Sequence, residues 1–497
     1  MVFELTDNSL DKISADAVIT FSFSDKESAS FQLLDQSLGG YLSEITKEED
    51  FKGNVGDCIT VYTHKKILAS KVYILGLGKK EEFNQNTLRK VLGMFSRSFK
   101  KKLASVALSP LTASECSIHT LEQGHIISEA LTLGSYGFYK YKSKDPKEKE
   151  KNLEDVIVAL DKKDHSEFNR GVEQGTLYAQ ATILARDLVN EQSAVATPTF
   201  LAQLAQDIAK KNKEVKCTVF DEKQSEKMGF HAFLGIARAA DTPPRFVVLE
   251  YTPNPKSKKK VAIVGKAITF DSGGINVKTG NFMSDMKMDM SGAATVLGIF
   301  SVITKIKPNV NVIGVFAATP NMISGKSLVP GDVVKAYNGK TIEVLDTDAE
   351  GRVTLADALS YVVKEGATEI IDLATLTGAC MVALGNSIAG LFTNDETLKE
   401  KFCDAAKTTG EKVWELPLEQ DYKDMNKSEV ADIANIPNSR YGGAITAGLF
   451  LEEFVDGKPW IHLDIAGPAF SDKPFELGPK GGTGFGVRSL LTFLESL

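Results

Sequence analysis

Four charged residues at alternate positions, Asp346, Asp348, Glu350 and Arg352, are the strongest chemical signal in this 497-residue sequence. If the segment is extended, all four side chains project to one side, because side-chain direction alternates along a strand. Three carboxylates that face the same way repel one another, and one arginine cannot neutralise them. A solvated acidic loop explains such a run, and so does a bound divalent cation, since bound ions are often the largest local charges in a site.

A second group of charged residues lies upstream, within apolar sequence. Residues 261–265 predict a buried strand that ends at a glycine, and Lys266 and Asp271 follow it, ahead of Lys278 and Asp289. Acids embedded in apolar sequence are costly to bury unless they are paired or bind metal. Taken singly, Asp271 also fits a turn, Asp289 a helix cap, and the lysines ion-pair partners. Structural and metal-binding interpretations are therefore both open for each residue alone.

Taken together, these segments resemble the leucyl aminopeptidases, the M17 family of two-metal exopeptidases. Residues 346–352 match the family signature Asn-Thr-Asp-Ala-Glu-Gly-Arg except at the first position. Residues 264–274 match the family's upstream motif, Val-Gly-Lys-Gly-Ile-Thr-Phe-Asp-Ser-Gly-Gly, except at Ala267. The resemblance continues as far as residues 463–467, and it covers roughly residue 185 to the C-terminus with order and spacing kept.

The resemblance implies a two-metal site. It makes Asp271 and Glu350 carboxylates that are shared between two divalent ions in each subunit. Asp348 would complete one metal site, while Lys266 and Asp289 would complete the other. Lysine must lose a proton to bind a metal, and two adjacent cations lower its pKa in that direction. The expected metals are Zn²⁺ or Mn²⁺, with Mg²⁺ or Co²⁺ as alternatives.

The resemblance also assigns residues outside the ligand set. Lys278 and Arg352 are expected to be catalytic, with a bicarbonate ion held by Arg352 as the general base. Met286, Thr375 and Leu376 are expected to line the pocket for the first side chain of the substrate. For Met286, a role as flexible filler of the core is an equally good explanation.

One position departs from the family pattern. Asp346 stands where the family usually has asparagine. An added carboxylate beside the metals is expected to tighten metal binding or to favour a harder ion. The departure therefore bears on the identity of the metal rather than on the reaction.

Other ways of activating water have little support in the sequence. It has six histidines but no His-Glu-x-x-His motif of helical zinc proteases. Residues 385–390, around Ser387, have one residue too many for a nucleophile elbow. His231 and His462 are expected in the core or at its edges. Two metal ions activate water without a histidine base, by lowering its pKa.

Two alternative functions stay open. A two-metal phosphoesterase also uses clustered carboxylates, although a ligand set richer in histidine is expected there. The other alternative is a DNA-binding or scaffolding protein that retains the fold, or an aminopeptidase that also binds DNA. The net charge of −7 argues against a general nucleic-acid surface, and the complete set of ligand positions argues against a scaffold without activity.

Composition agrees with a soluble globular enzyme of the cytoplasm. Apolar residues make up 43% and charged residues 25%, as in globular enzymes. The five cysteines include no Cys-x-x-Cys pair, and the first residues carry acids where a signal peptide would be basic. No apolar run approaches the about 18–20 residues that span a bilayer, so no membrane association is expected. The family resemblance also implies that the protein forms a homohexamer.

The predicted fold is α/β, and its length favours two domains. The resemblance implies an N-terminal macro-like α/β domain (1–162), a long linker helix (163–189) and a catalytic α/β sandwich with a mixed sheet (190–497). Residues 71–78 predict a strand that runs into a Gly-x-Gly turn, followed by a helix from about Asn84. Residues 141–152, which are rich in lysine and glutamate, predict an exposed loop. The strands predicted in the catalytic half are 245–251, 261–264, 310–316, 369–373 and 460–464.

Overall fold

A computed structural model describes residues 1–143 and 152–497, so the predicted exposed loop at 141–152 lies almost wholly outside the described residues. The chain forms two compact units. The first comprises residues 1–179 and 473–480, and the second comprises residues 180–472 and 481–497. This partition does not test the domain limits predicted above, which stay a prediction.

The first unit is a six-stranded α/β unit. Its strands are Val2–Thr6 (β1), Ala17–Ser22 (β2), Cys58–Tyr62 (β3), Lys71–Gly76 (β4), Ser105–Leu108 (β5) and Asp155–Ala159 (β6). Its helices are Ala29–Ser37 (α1), Tyr41–Glu48 (α2), Gln85–Phe99 (α3), Thr120–Ser135 (α4) and the start of His165–Asn190 (α5). The strand order is β1-β6-β5-β2-β4-β3, parallel throughout except for the β3–β4 pair. Helix α3 begins where the sequence predicts, because the Asn84 side chain accepts the backbone N–H groups of Asn86 and Thr87.

The second unit contains a larger mixed sheet. The strands of the second unit are Val215–Phe220 (β7), Arg245–Tyr251 (β8), Lys260–Asp271 (β9), Asn311–Asn321 (β10), Asp332–Lys335 (β11), Thr341–Val344 (β12), Glu369–Ala374 (β13), Ile388–Thr393 (β14), Lys412–Glu415 (β15), Ile433–Ala434 (β16), Trp460–Asp464 (β17), Phe470–Ser471 (β18) and Gly481–Gly482 (β19). Eight of them form the larger sheet, β11, β12 and β16 form a three-stranded sheet, and β18 pairs with β19. Its helices after α5 are Pro198–Lys211 (α6), Glu222–Met228 (α7), His231–Ala237 (α8), Ser291–Ile306 (α9), Glu350–Lys364 (α10), Gly378–Leu384 (α11), Glu396–Thr409 (α12), Gly443–Glu452 (α13) and Val487–Glu495 (α14). The prediction of two α/β parts, with a mixed sheet in the second, is confirmed.

Four parallel strands form the centre of the larger sheet. Its order is β15-β14-β17-β13-β9-β10-β8-β7, and β17, β13, β9 and β10 run in the same direction. The carboxyl ends of these four strands therefore meet at one edge. In open α/β sheets that edge is where ligands bind.

Strand β9 is longer than the sequence predicts. It passes through Gly265 and ends at Asp271, whereas the glycine was expected to end it. Gly265 has a packing role, since a Cβ atom there would lie 2.3 Å from the backbone of Gly292 in helix α9. The neighbouring Lys266 points to the other face of the sheet, where helix α10 packs. Helices therefore cover both faces of β9.

An apolar core lies between the sheet and helices α8, α10 and α13. It includes the buried side chains of Phe230, Phe246, Val353, Leu359 and Phe450. This packing fixes helix α10 against β9, and the first turn of α10 carries Glu350 and Arg352. No helix among the described residues is long and apolar enough to cross a membrane.

Candidate active site

The charged residues singled out from the sequence converge at the carboxyl edge of the larger sheet. Lys266 and Asp271 lie on β9, and Asp289 precedes helix α9. Asp348 lies in the turn before helix α10, and Glu350 is the first residue of that helix. One carboxylate oxygen each of Asp271, Asp348 and Glu350 lies within 4.8 Å of the others. Tertiary folding thus brings together acids from two distant segments.

The inner cluster consists of Lys266, Asp289 and Glu350. The Lys266 ammonium lies 2.8 Å from Asp289 Oδ2 and 2.9 Å from Glu350 Oε1, and the exposed fraction of each side chain is at most 4%. Gly351 makes this approach possible, because a Cβ atom there would lie 2.4 Å from Lys266 Cε. The glycine in the signature is therefore required by the position of the lysine.

The outer cluster consists of Lys278, Asp271 and Asp348. The Lys278 ammonium lies 2.8 Å from Asp271 Oδ2 and 2.6 Å from Asp348 Oδ1. The Lys278 side chain is 14% exposed and that of Asp348 is 33% exposed, so this cluster meets solvent. Asp271 is also held from behind by Asn321, whose amide donates a 2.8 Å hydrogen bond to Oδ1.

The donor set fits divalent cations. Glu350 Oε2 is buried, and among the described residues it has neither a hydrogen-bond nor an ion-pair partner. Asp289 Oδ2 and Asp348 Oδ1 touch only the lysine ammonium groups, without good hydrogen-bond geometry. Buried carboxylate oxygens left in this state are costly unless a cation binds them. Carboxylate oxygens suit Mn²⁺ or Mg²⁺, and Zn²⁺ also accepts oxygen and nitrogen ligands.

Burial and mutual repulsion shift the acids towards their protonated forms. Loss of solvent, together with the nearby Asp271, raises the pKa of Glu350 to about 8. Burial raises the pKa of Asp289 to about 6, against the opposing charge of Lys266. Burial alone would lower the pKa of Lys266, but the charges of Asp289, Glu350 and Asp271 outweigh it and raise that pKa. In this state the lysine is therefore an ammonium ion that partly neutralises the acids.

Arg352 is buried beside the acids but forms no ion pair with them. Its Nη1 donates a 2.8 Å hydrogen bond to the Asn435 backbone carbonyl, and its Nε–H is buried without an acceptor among the described residues. Burial lowers its pKa to about 10. The group still carries a positive charge at neutral pH and retains an N–H that can bind an anion.

The signature segment is not extended, so the prediction that its alternate side chains project together from a strand is wrong. Strand β12 ends at Val344, residues 345–349 form a turn, and helix α10 begins at Glu350. Asp346 Oδ1 accepts the backbone N–H of Asp348 at 2.8 Å within this turn. Asp346 does not belong to the group of three clustered acids. An asparagine side chain would make the same hydrogen bond, which explains the exchange within the family pattern.

The three predicted pocket residues lie around the inner cluster. Met286 is half-buried in a short 3₁₀ turn, Met286–Met288, and Leu376 is half-buried against the core. Thr375 is buried, and its hydroxyl donates a 2.7 Å hydrogen bond to Asp289 Oδ1. The polar group of Thr375 is thus engaged with a predicted metal ligand. Pocket roles for these residues stay a prediction.

Two histidines were expected in the core or at its edges. His462 is fully buried on β17, with Nδ1 2.6 Å from Asp372 Oδ1, whereas His231 is exposed at the start of helix α8. Asn321 and Asn435, which position Asp271 and Arg352, were not predicted from the sequence. Polar residues after buried strands were a usable signal, since Asn321 ends β10.

Comparisons with known proteins agree with this site. Residues 183–491 match the family model described as the catalytic domain of the cytosol aminopeptidase family, and residues 18–145 match the N-terminal domain of that family. A probable cytosol aminopeptidase of Alkaliphilus metalliredigens is 41% identical over 100% of both chains.

Solved structures show the same likeness. A mutant of tomato leucine aminopeptidase superposes with a TM-score of 0.89 at 34% identity, over 100% of this chain and 96% of the other. The bottromycin maturation enzyme BotP in complex with Mn has a TM-score of 0.86 at 32% identity, over 97% of this chain and 99% of the other.

Proposed function

Because the chain belongs to the cytosol aminopeptidase family and is therefore a metal-dependent aminopeptidase, we propose that it removes leucine-like N-terminal residues from peptides with two bound divalent ions. The convergence of Asp271, Asp348 and Glu350 within 4.8 Å is the observation that carries this proposal. The partnerless Glu350 Oε2 adds support, because it leaves a buried ligand atom for a cation.

The proposed ligand set divides between the two clusters. Asp271 and Glu350 would be shared, Asp348 would complete one site, and Lys266 with Asp289 would complete the other. Lys266 must then give up the proton that it carries in the ion-paired state. When bound, such ions lower the pKa of a water molecule and polarise the carbonyl of the scissile peptide.

Lys278 is proposed to stabilise the oxyanion of the tetrahedral intermediate. Two carboxylates hold its ammonium group in the more exposed of the two clusters, where a peptide would reach it from solvent. Removing a donor of this kind typically lowers the rate by about 10²–10³-fold. Lys278→Ala should therefore lower kcat whatever the buffer.

Arg352 is proposed to hold a bicarbonate ion that serves as the general base. The buried, unpaired Nε–H and the planar guanidinium suit a small oxyanion. Arg352→Ala should lower kcat and abolish any stimulation by added bicarbonate. Lys278→Ala serves as the control, since it should retain that stimulation. Equal stimulation of wild type and Arg352→Ala would exclude the anion-holding role.

The substrate class and the metals need a direct experiment. The purified chain, dialysed against Zn²⁺, Mn²⁺, Mg²⁺ or Co²⁺, should hydrolyse leucine p-nitroanilide and bind two ions per subunit by elemental analysis. Hydrolysis of p-nitrophenyl phosphate at a comparable rate would instead support a phosphoesterase. If Met286 lines the first side-chain pocket, Met286→Ala should shift selectivity towards bulkier N-terminal residues.

We also propose a cytoplasmic homohexamer on the strength of the family alone. Light scattering coupled to size exclusion would test the hexamer, which a monomer at micromolar concentration would contradict. DNA binding has no support from the residues of the site. A salt-dependent gel shift on duplex DNA tests it.

A further inference from the structure

We propose that Asp464, a residue outside the proposed ligand set, is a positioning residue for the metal ion bound by Lys266 and Asp289. It would act through the turn at residues 375–377. This inference rests on the two-metal function proposed above. It adds a residue whose carboxylate touches neither the metal nor the substrate, yet sets the geometry of one of the two metal sites.

Asp464 ties this turn to the end of the sheet. It is 1% exposed and lies at the carboxyl end of β17, directly opposite Ala374 on β13. Its Oδ1 accepts the backbone N–H groups of Leu376 at 3.2 Å and Thr377 at 3.4 Å. Its Oδ2 accepts the Thr377 hydroxyl at 2.6 Å. Both carboxylate oxygens are therefore used to fix the turn.

The turn at residues 375–377 also holds two of the proposed metal ligands in place. The Thr375 backbone carbonyl accepts a 3.0 Å hydrogen bond from the Lys266 ammonium, and the Thr375 hydroxyl donates a 2.7 Å bond to Asp289 Oδ1. One residue thus orients both side chains that would complete the inner metal site. No described hydrogen bond joins this turn to Asp348 or Asp271, which are oriented by Lys278 and Asn321 instead.

A carboxylate suits this position better than its isosteres. In all three hydrogen bonds the turn provides the donor and Asp464 the acceptor, and an ionised carboxylate only accepts. An asparagine in its place presents one NH₂ group, which cannot accept from the Thr377 hydroxyl. Groups that hold metal ligands in place from behind typically change metal affinity by about 10–100-fold when mutated.

Calorimetric titration of the metal-free chain with Zn²⁺ tests the proposal, because it measures the two binding steps separately from activity. Asp464→Asn should weaken one of the two steps, by no more than the about 10–100-fold typical of groups bonded directly to a ligand, and leave the other unchanged. Asp357→Asn is the matched control. Asp357 is a buried carboxylate of the same unit that accepts the backbone N–H groups of Phe233 and Tyr337, away from the turn. This control should bind Zn²⁺ in both steps with wild-type affinity.

Thr377→Val separates position from charge. It removes one donor to Asp464 without changing any charge, so a positioning role predicts a smaller loss in the same binding step. Thr377 also accepts the Cys380 N–H as a helix cap, and Thr197→Val removes an equivalent cap from helix α6. That control should bind both ions as wild type does. If Asp464→Asn fails to fold, Thr377→Val and its control carry the test.

Three results overturn the inference or its premise. Wild-type affinities in both Asp464→Asn and Thr377→Val would exclude a positioning role. Equal weakening of both steps in Asp464→Asn, with no change in Thr377→Val, would mean that the charge of Asp464 acts rather than its hydrogen bonds. A wild-type chain that binds fewer than two ions would instead remove the proposed two-metal function itself.

Discussion

The inner and outer clusters have the same composition, one lysine and two acids, but different access to water. The inner side chains are at most 4% exposed, whereas Asp348 in the outer cluster is 33% exposed. Charges interact more strongly when solvent is excluded, and unpaired charges become more costly. The inner cluster should therefore bind its ion tightly and exchange it slowly. The outer cluster should exchange ions more readily.

Loss of Glu350, which we propose as a ligand of both ions, should impair metal binding at both clusters. Glu350→Gln removes a proposed ligand of both ions, so peptidase activity should fall by more than the ~10²–10³-fold typical of losing one stabilising group. Metal content should fall with it. Glu365→Gln at the other end of helix α10 is the control, because Glu365 is exposed and should leave both unchanged. Full activity of Glu350→Gln with two bound ions would refute the ligand assignment.

Replacing the lysine of each cluster should lower the free energy of unfolding of the metal-free protein by different amounts. In metal-free protein, Lys266→Met leaves Asp289 and Glu350 buried without their cation, and breaking a buried pair in this way costs about 3–5 kcal/mol. Lys278→Met should cost less, because water reaches Asp348. Methionine retains the aliphatic stem in both variants, so urea unfolding after chelation compares charge rather than packing. Equal losses would show that burial does not distinguish the clusters.

The dependence of metal binding on pH should also differ between the clusters. Below pH 8 the Glu350 carboxyl, with its pKa raised to about 8, is protonated in the metal-free chain. A metal ion must displace that proton and the proton on Lys266, so affinity should fall as pH decreases. Because Glu350 would be shared by both ions, its proton is counted for the pair, and near pH 7 the binding of both ions together should release about two protons. Above pH 8 only the Lys266 proton remains, and the slope should halve.

Proton release measured by calorimetry in buffers of different ionisation enthalpy checks this slope. On binding both ions at pH 7, Lys266→Met should release about one proton fewer than wild type, whereas Lys278→Met should release about as many as wild type. A slope that is the same above and below pH 8 would contradict the protonated state of Glu350.

The smallest effect is expected at Asp346. Its Oδ1 accepts a hydrogen bond within its own turn, which asparagine reproduces. Asp346→Asn should therefore change metal affinity by no more than the weak effect of one partly exposed charge, which is at most about 1 kcal/mol. Asp346→Ala removes the turn hydrogen bond and serves as the contrasting variant. A large loss of affinity in Asp346→Asn would restore the expectation that this carboxylate binds metal.

Much of the fold could be predicted because local patterns were strong. The limits of β8 and β17 coincide with the predicted strands, since apolar, β-branched runs there are bounded by turn residues. The strand predicted at 261–264 was shorter than β9, because Gly265 was interpreted as the end of the strand. Only the approach of Gly292 from helix α9 explains why a glycine continues the strand.

The sequence by itself determined which residue types take part in the chemistry, because acids and lysines in apolar surroundings require partners or a cation. Their division into two clusters was decided by tertiary structure. Lys266 meets Glu350 because helix α10 packs on β9, and Lys278 meets Asp348 because the turn before that helix faces the loop after β9. The role of Asp464 likewise depends on strand pairing between β17 and β13. Distances between segments far apart in the chain are set by packing, which periodicity and motifs do not encode.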